Sequence, residues 1–275
     1  MKQESRGFIY WIFATALLLL WISPILASLL TSLKSLDELN KGEYWSWPKS
    51  LSFKSYVDAF ITGGFSKYFW NSLLITIPSV FLILFFSTVN GYVLAKLRFK
   101  HSETLVLIFV AGMLLPFQIL LIPVFYLSNT ILHTYDTRIG LVLFHSAFQL
   151  GFASFFMRNF VQTIPNGIIE AARIDGCTEW NIYVRIILPL IKPAAAALAT
   201  LLFTWIWNDY LWALILLQSD DIKPITSGLQ NLKGRWTSSY NLQSAGAIIA
   251  AIPPVLIFSL LQKHFIRGLT MGAGK

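Results

Sequence analysis

Charge is what this sequence has least of. Asp, Glu, Lys and Arg make up 12% of 275 residues against 56% hydrophobic side chains, too few to clothe a water-facing globule of that length. The one cysteine, Cys177, excludes an internal disulfide, and its place in a polar connection reads as a structural rather than a reactive thiol. No His, Asp, Glu or Cys cluster falls at ligand spacing, so no metal site is expected. Nor is a nucleophile paired with a base: a lone His145 and a lone Asp209 leave an intramembrane enzyme without catalytic residues. The closing Gly-Ala-Gly-Lys of residues 272–275 lacks the earlier glycine and the following Ser or Thr of a phosphate loop. No bound cofactor is therefore expected, and energy from ATP would have to enter through another chain. The formal charge of +8 is scattered through short connections rather than gathered with aromatics on one face, which argues against nucleic acid.

What the chain has in abundance is long apolar runs. A bilayer core takes roughly 20 mainly apolar residues per helix, and six stretches qualify: Phe8 to Leu30, Tyr68 to Leu94, Thr104 to Leu127, Ile139 to Phe160, Leu190 to Leu217 and Ser244 to Phe265. The expected fold class is all-α, a polytopic membrane protein with six transmembrane helices. The first run exceeds a signal-peptide core and reads as an uncleaved anchor. Six spans put both termini on one side. The dense cluster Lys96-Leu97-Arg98-Phe99-Lys100, set against a 31–67 segment that mixes five Lys with Asp37, Glu38, Glu43 and Asp58, makes that side the cytoplasm.

Within the spans, Pro78, Pro116, Pro123, Pro253 and Pro254 predict kinks. Small residues at 194–197 and 244–251 predict close helix contacts. Polar side chains are costly at bilayer depth, so Gln118, His145 and Gln149 (at i, i+4), Asn208 and Asp209 are candidates for a substrate pathway, with interhelical locking as the competing role; Asn90 belongs with them. The segment from Gln218 to Asn241 is long for a connection and carries Gly234, Arg235 and Trp236, candidates for docking a partner on the outer side.

The most polar interior stretch runs from Ile164 to Pro189. Pro165 pre-sets a first helical turn, Ile168, Ile169 and Ala172 keep helical spacing, and Asp175-Gly176 stops the helix. Thr178 and Glu179 then read as a cap and a first-turn acid, and Trp180, Tyr183, Val184 and Ile187 recur at i, i+3, i+4, i+7. Pro189 and Pro193 mark the return to an apolar run. The unit is a helix-turn-helix with charge on one side. Its residues resemble the cytoplasmic coupling loop of binding-protein-dependent ABC importer permeases: Glu170, Ala171, Ala172, Asp175, Gly176, Ile186, Leu188 and Pro189 fall in register with that pattern, with Cys177 where Ala is usual and Tyr183 where Phe is usual.

The resemblance covers nearly the whole chain and is closest to the maltose-transporter-type second permease of carbohydrate importers, through Leu115-Pro116-Phe117-Gln118, Trp207-Asn208-Asp209-Tyr210 and Arg267-Gly268-Leu269-Thr270 besides the loop. It implies one permease domain over 1–275, with a first span at about 8–30, a core bundle at about 68–265, a coupling loop at about 163–193 and a cytoplasmic tail at 266–275. It also implies a cell inner membrane location, a second homologous permease subunit, two ATP-binding subunits and an extracytoplasmic solute-binding protein. ATP would be used by the partner subunits, and Glu170, Ala171, Ala172, Asp175, Gly176, Leu188 and Pro189 would couple the bundle to them. Sugars, glycoside osmolytes and glycerol phosphates all suit the resemblance. A stand-alone channel or secondary carrier is the rival reading, although it needs no charged helix-turn-helix and no internal repeat is evident.

Overall fold

The computed structural model describes residues 2–43, 46–97, 99–232 and 239–273, with backbone alone at 2–9, 62 and 264–273. Among the described residues all regular structure is helical. The α-helices in chain order are α1 (Lys2–Ser32), α2 (Leu36–Asn40), α3 (Lys54–Val57), α4 (Phe65–Lys96), α5 (Ser102–Leu114), α6 (Leu121–Tyr126), α7 (Arg138–Gln162), α8 (Asn166–Ile174), α9 (Glu179–Ile182), α10 (Leu188–Trp207), α11 (Leu211–Leu216), α12 (Ile225–Asn231) and α13 (Tyr240–Ala273). Among the described residues, five uninterrupted stretches are long and apolar enough to cross a bilayer: Tyr10–Ser32, Phe65–Lys96, Arg138–Gln162, Glu179–Trp207 and Tyr240–Lys263.

The expected third span is a broken one. Its halves, Ser102–Leu114 and Phe117–Ile131, meet at 94°. Pro116 offers no N–H to the turn before it and forces its predecessor out of the helical region, and Leu115 accordingly sits at φ −69°, ψ 128°. Pro78 and Pro253–Pro254, by contrast, lie inside unbroken helices. The expected fifth span, Leu190 to Leu217, is also two pieces: α10 ends at Trp207 and α11 begins at Leu211.

The chain divides into two compact units, residues 1–66 with 228–252 and residues 67–227 with 253–275. In the first, Ser35 and Glu38 form a capping box over α2: Ser35 Oγ accepts from the Glu38 amide and donates to Glu38 Oε1. Lys34 is fully buried and donates to the Glu43 carbonyl at 2.6 Å. Leu232 wedges between two glycines, for a Cβ on Gly63 or Gly246 would lie 2.7 or 2.5 Å from its methyls.

The second unit holds the main core, built from Ile75 and Ile83 of α4, Ala153, Met157 and Val161 of α7, and Ile191, Ala194, Leu198 and Leu202 of α10. The small face expected at 194–197 is there: Ala194 and Ala197 are buried. Helices α4 and α7 approach closely where Gly91 faces Met157, a Cβ there falling 2.7 Å from that of Met157. One residue away Asn90 Nδ2 donates to Ser154 Oγ at 3.1 Å, so this amide locks two helices together. At the opposite end of α4, Lys67 pairs with Asp220 and Asp221 at 2.7 and 3.1 Å. Asn71 Nδ2 donates to the carbonyls of Asp221 and Lys223, and Arg138 Nε to Asn71 Oδ1, fastening the 220–223 segment.

Candidate functional site

Helix α8 starts just after Pro165, which stands at the N-cap rather than in the first turn. It ends in a Schellman motif: the Gly176 amide donates to the Arg173 carbonyl at 3.1 Å, the Cys177 amide to that of Ala172 at 3.0 Å, and Gly176 takes φ +78°. That conformation costs an L-residue about 1–2 kcal/mol and glycine almost nothing, which is why Asp175-Gly176 stops this helix. Cys177 contributes its amide; its thiol is exposed instead of packed. Thr178 then caps α9, accepting from the Asn181 amide.

The second helix of the loop is not a separate piece closed off by Pro189. Glu179–Trp207 is one rod of 29 residues. Tyr183–Ile187 forms a wide turn in which the Leu188 amide donates five residues back to the Tyr183 carbonyl. That widening makes room ahead of Pro189, which lacks an N–H and would crowd an ordinary turn.

A set of polar contacts fixes this helix pair to the end of α4. Glu179 accepts from Arg173 Nε (2.7 Å) through one oxygen and from the Tyr92 hydroxyl through the other. Lys96 Nζ donates to the Ile164 carbonyl at 2.6 Å and to Asn166 Oδ1 at 2.8 Å, and Tyr183 shares a 2.8 Å hydrogen bond with Thr88. Beneath them Ile164, Ile169, Ala172, Ile182 and Tyr183 are buried in the core. With Arg173 engaged by Glu179, Glu170 is exposed and has no ion-pair or side-chain hydrogen-bond partner among the described residues. The same helix pair exposes the apolar side chains Ile168, Trp180 and Val184, and Ile174 is 86% exposed. Of the other sequence candidates here, Ala171 and Asp175 are exposed, Ala172 is buried, Leu188 is half-buried and Pro189 opens α10.

The candidate pathway residues separate into two sets. His145, Gln149 and Asp209 line one cavity of about 210 Å3 with Phe148, Trp205 and Trp212. Gln118 is exposed and lies outside it, and Asn208 closes α10 instead, its Nδ2 donating to the Thr204 carbonyl at 2.9 Å. Asp209 caps α11, accepting from the amides of Trp212 (3.4 Å) and Ala213 (3.1 Å). Those two caps are what splits the expected fifth span, and Thr226 Oγ1 donates to the Asp209 carbonyl from farther along the chain. The docking candidates Gly234, Arg235 and Trp236 lie outside the described residues. Unforeseen were the latch role of Glu179, which reads in sequence only as a first-turn acid, and Asp136, whose carboxylate accepts from the Gln218 and Ser219 amides and the Ser219 hydroxyl.

Residues 87–271 match the family described as binding-protein-dependent transport system inner membrane component. Over 267 residues the chain is 35% identical to the arabinooligosaccharides transport system permease protein AraQ of Bacillus subtilis, covering 96% of this chain and 94% of that protein. It is 34% identical over 274 residues to the probable starch degradation products transport system permease protein AmyC of Thermoanaerobacterium thermosulfurigenes, covering 100% and 99%. A chain in the crystal structure of a bacterial ABC transporter that imports the acidic polysaccharide alginate shares the fold, with a TM-score of 0.85 at 23% identity over 96% of this chain and 98% of that one. The helical fold, the capped loop pair and a family match spanning most of the chain agree, and the protein belongs to the binding-protein-dependent transport system inner membrane components, the permeases of ABC importers.

Proposed function

We propose that this chain is the permease subunit of an ATP-driven importer for a sugar or sugar-like solute. It forms half of the translocation pathway, beside a second homologous permease, and does no chemistry itself. Two ATP-binding subunits dock on the 163–193 side and use the ATP; an extracytoplasmic solute-binding protein docks on the other side, where Gly234, Arg235 and Trp236 are the candidate contacts. Both termini lie in the cytoplasm. Relatives named for arabinooligosaccharides, starch degradation products and alpha-glucosides support the sugar class, and solved transporters of similar fold, an alginate ABC transporter in complex with a periplasmic protein and a methionine ABC transporter, support the assembly.

The observation that carries the coupling role is Glu170, exposed and unpaired among the described residues, on a rigid, partly apolar platform. A carboxylate without a partner among the described residues, on a helix pair that also exposes Ile168 and Trp180, has the make-up of a contact surface awaiting a cation. Domain closure in the ATPases can then move the bundle because the platform is fixed rather than loose.

The test is Glu170→Lys in a complex shown by chromatography to contain all subunits. Losing one member of a buried charge pair costs roughly 2–5 kcal/mol, so uptake is expected to vanish and ATP hydrolysis to lose its dependence on the binding protein. Were Glu170 only a helix residue, Glu170→Gln would cost a few tenths of a kcal/mol. Normal uptake by Glu170→Lys rejects the coupling role.

A further inference from the structure

Both breaks in the second unit border the same cavity. Phe117 reaches it from just after the Pro116 break, and Asp209 and Leu211 from the break between α10 and α11, while α7 supplies His145 and Gln149 between them. His145 is 3% exposed, and its Nε2 has no hydrogen-bond partner among the described residues. That nitrogen stands 3.7 Å from Asp209 Oδ2, too far for a direct hydrogen bond and well suited to one oxygen held between the two. Such an oxygen has to donate to the carboxylate while meeting the imidazole nitrogen, and a hydroxyl or a water has both capacities. A phosphate or carboxylate would confront Asp209 with like charge.

The rest of the lining is flat and apolar. Trp212 packs against Phe144 at a ring-centroid distance of 4.0 Å and Trp205 against Phe152 at 5.1 Å, so neighbours set the planes of both indoles. An indole face beside a carboxylate, an imidazole and the Gln149 amide combines an apolar platform with hydroxyl-directed hydrogen bonding. The C–H faces and equatorial hydroxyls of a neutral sugar ring present that same division.

We propose that this cavity is a subsite for one neutral sugar ring on the translocation pathway. The ring stacks on Trp205, one hydroxyl bridges His145 and Asp209, and Gln149 takes another. This assignment rests on the importer reading above, and it selects neutral oligosaccharides over glycerol phosphates.

The experiment uses the complete complex in proteoliposomes, with Gln149→Cys introduced in a Cys177→Ser background so that it carries the single thiol of this chain. The sugar probe is whichever member of a panel of malto- and arabino-oligosaccharides the Cys177→Ser parent imports fastest. The thiol probe is the membrane-impermeant cation 2-(trimethylammonium)ethyl methanethiosulfonate. We expect the new thiol to react during turnover, reaction to block uptake, and the transported sugar to slow reaction several-fold. Trp205→Leu should raise the KM for uptake several-fold and Trp205→Phe should restore it. A thiol that never reacts marks a lipid-facing or closed cavity, and one that reacts at a rate indifferent to sugar marks a water site; either overturns the subsite. A parent complex that imports no member of the panel overturns the sugar reading itself, separately from the cavity.

Discussion

Residues 166–187 and residues 208–210 both interrupt apolar runs, and the two interruptions dispose of their polar groups in opposite ways. In the first, Arg173 and Tyr92 both donate to Glu179 and Lys96 donates to the Ile164 carbonyl and Asn166, and the engagement of Arg173 leaves Glu170 exposed. In the second, Asn208 and Asp209 are turned onto backbone, closing one helix and opening the next, and Asp209 keeps only a 3.7 Å approach to His145. A polar cluster on the rim can spend its charges on rigidity and still present a surface. Inside the bundle the same residue types go first to the backbone amides and carbonyls that a broken helix leaves bare.

The contrast breaks most visibly at Glu179. Glu179→Ala removes two charge-assisted hydrogen bonds and frees Arg173 to reach Glu170 three residues away; with Glu179 about 44% exposed, we expect a loss of about 1–2 kcal/mol in the local stability of the loop. Amide exchange over 166–176 should accelerate by roughly tenfold, and uptake should fall although Glu170 is intact. Exchange at the wild-type rate would mean that apolar packing alone holds the pair.

A smaller effect is expected at the inner break. Asp209→Ala strips the cap from α11, worth about 1 kcal/mol, whereas Asp209→Asn keeps an accepting oxygen and should cost less. Faster exchange confined to the Trp212 and Ala213 amides, with 166–176 unchanged, is the predicted pattern; well-separated sites should respond independently. Acceleration of both segments together would show that the two interruptions are one cooperative unit.

The smallest effect at neutral pH belongs to Asp136. Burial pushes its carboxyl up, but the Ser219 hydroxyl, the Ser219 amide and the Gln218 amide outweigh that and hold the group below the usual Asp range. A carboxyl depressed on folding contributes stability above its unfolded pKa of about 3.9 and loses it as pH falls through the folded value. Opening at Gln218 and Ser219, read from exchange corrected for its intrinsic pH dependence, should therefore be flat from pH 7 to about 5 and rise only below about pH 4. A rise already near neutrality would contradict it.

Much of the loop was legible in sequence because its signals are local. Asp175-Gly176 fills the Schellman stop and Thr178 the N-cap, and such caps involve residues only a few positions apart. The latch was not legible, since Tyr92 is 87 residues from Glu179 and no spacing rule joins them. The fifth span was over-extended because the residues after Tyr210, Leu-Trp-Ala-Leu-Ile-Leu-Leu, are as apolar as those before Asn208, so hydropathy runs across a gap that only the two caps reveal. Pro116 was visible as a kink but not as a 94° turn, whose size depends on what the displaced segment packs against. Of the five pathway candidates, polarity at bilayer depth selected all alike; geometry kept His145, Gln149 and Asp209 together and sent Asn208 to a helix end.

The wide turn at 183–187 has a mechanical meaning. By letting α9 flow into α10 without a joint, it makes Glu179–Trp207 a single lever, about 43 Å long at 1.5 Å per residue. A tilt of only about 5° at the loop end would swing the far tip by roughly 4 Å for a rod of that length. The tip is the Asn208–Tyr210 break, beside the His145–Asp209 cavity, so a small push on the loop arrives as a displacement comparable to the gap that a sugar hydroxyl would bridge.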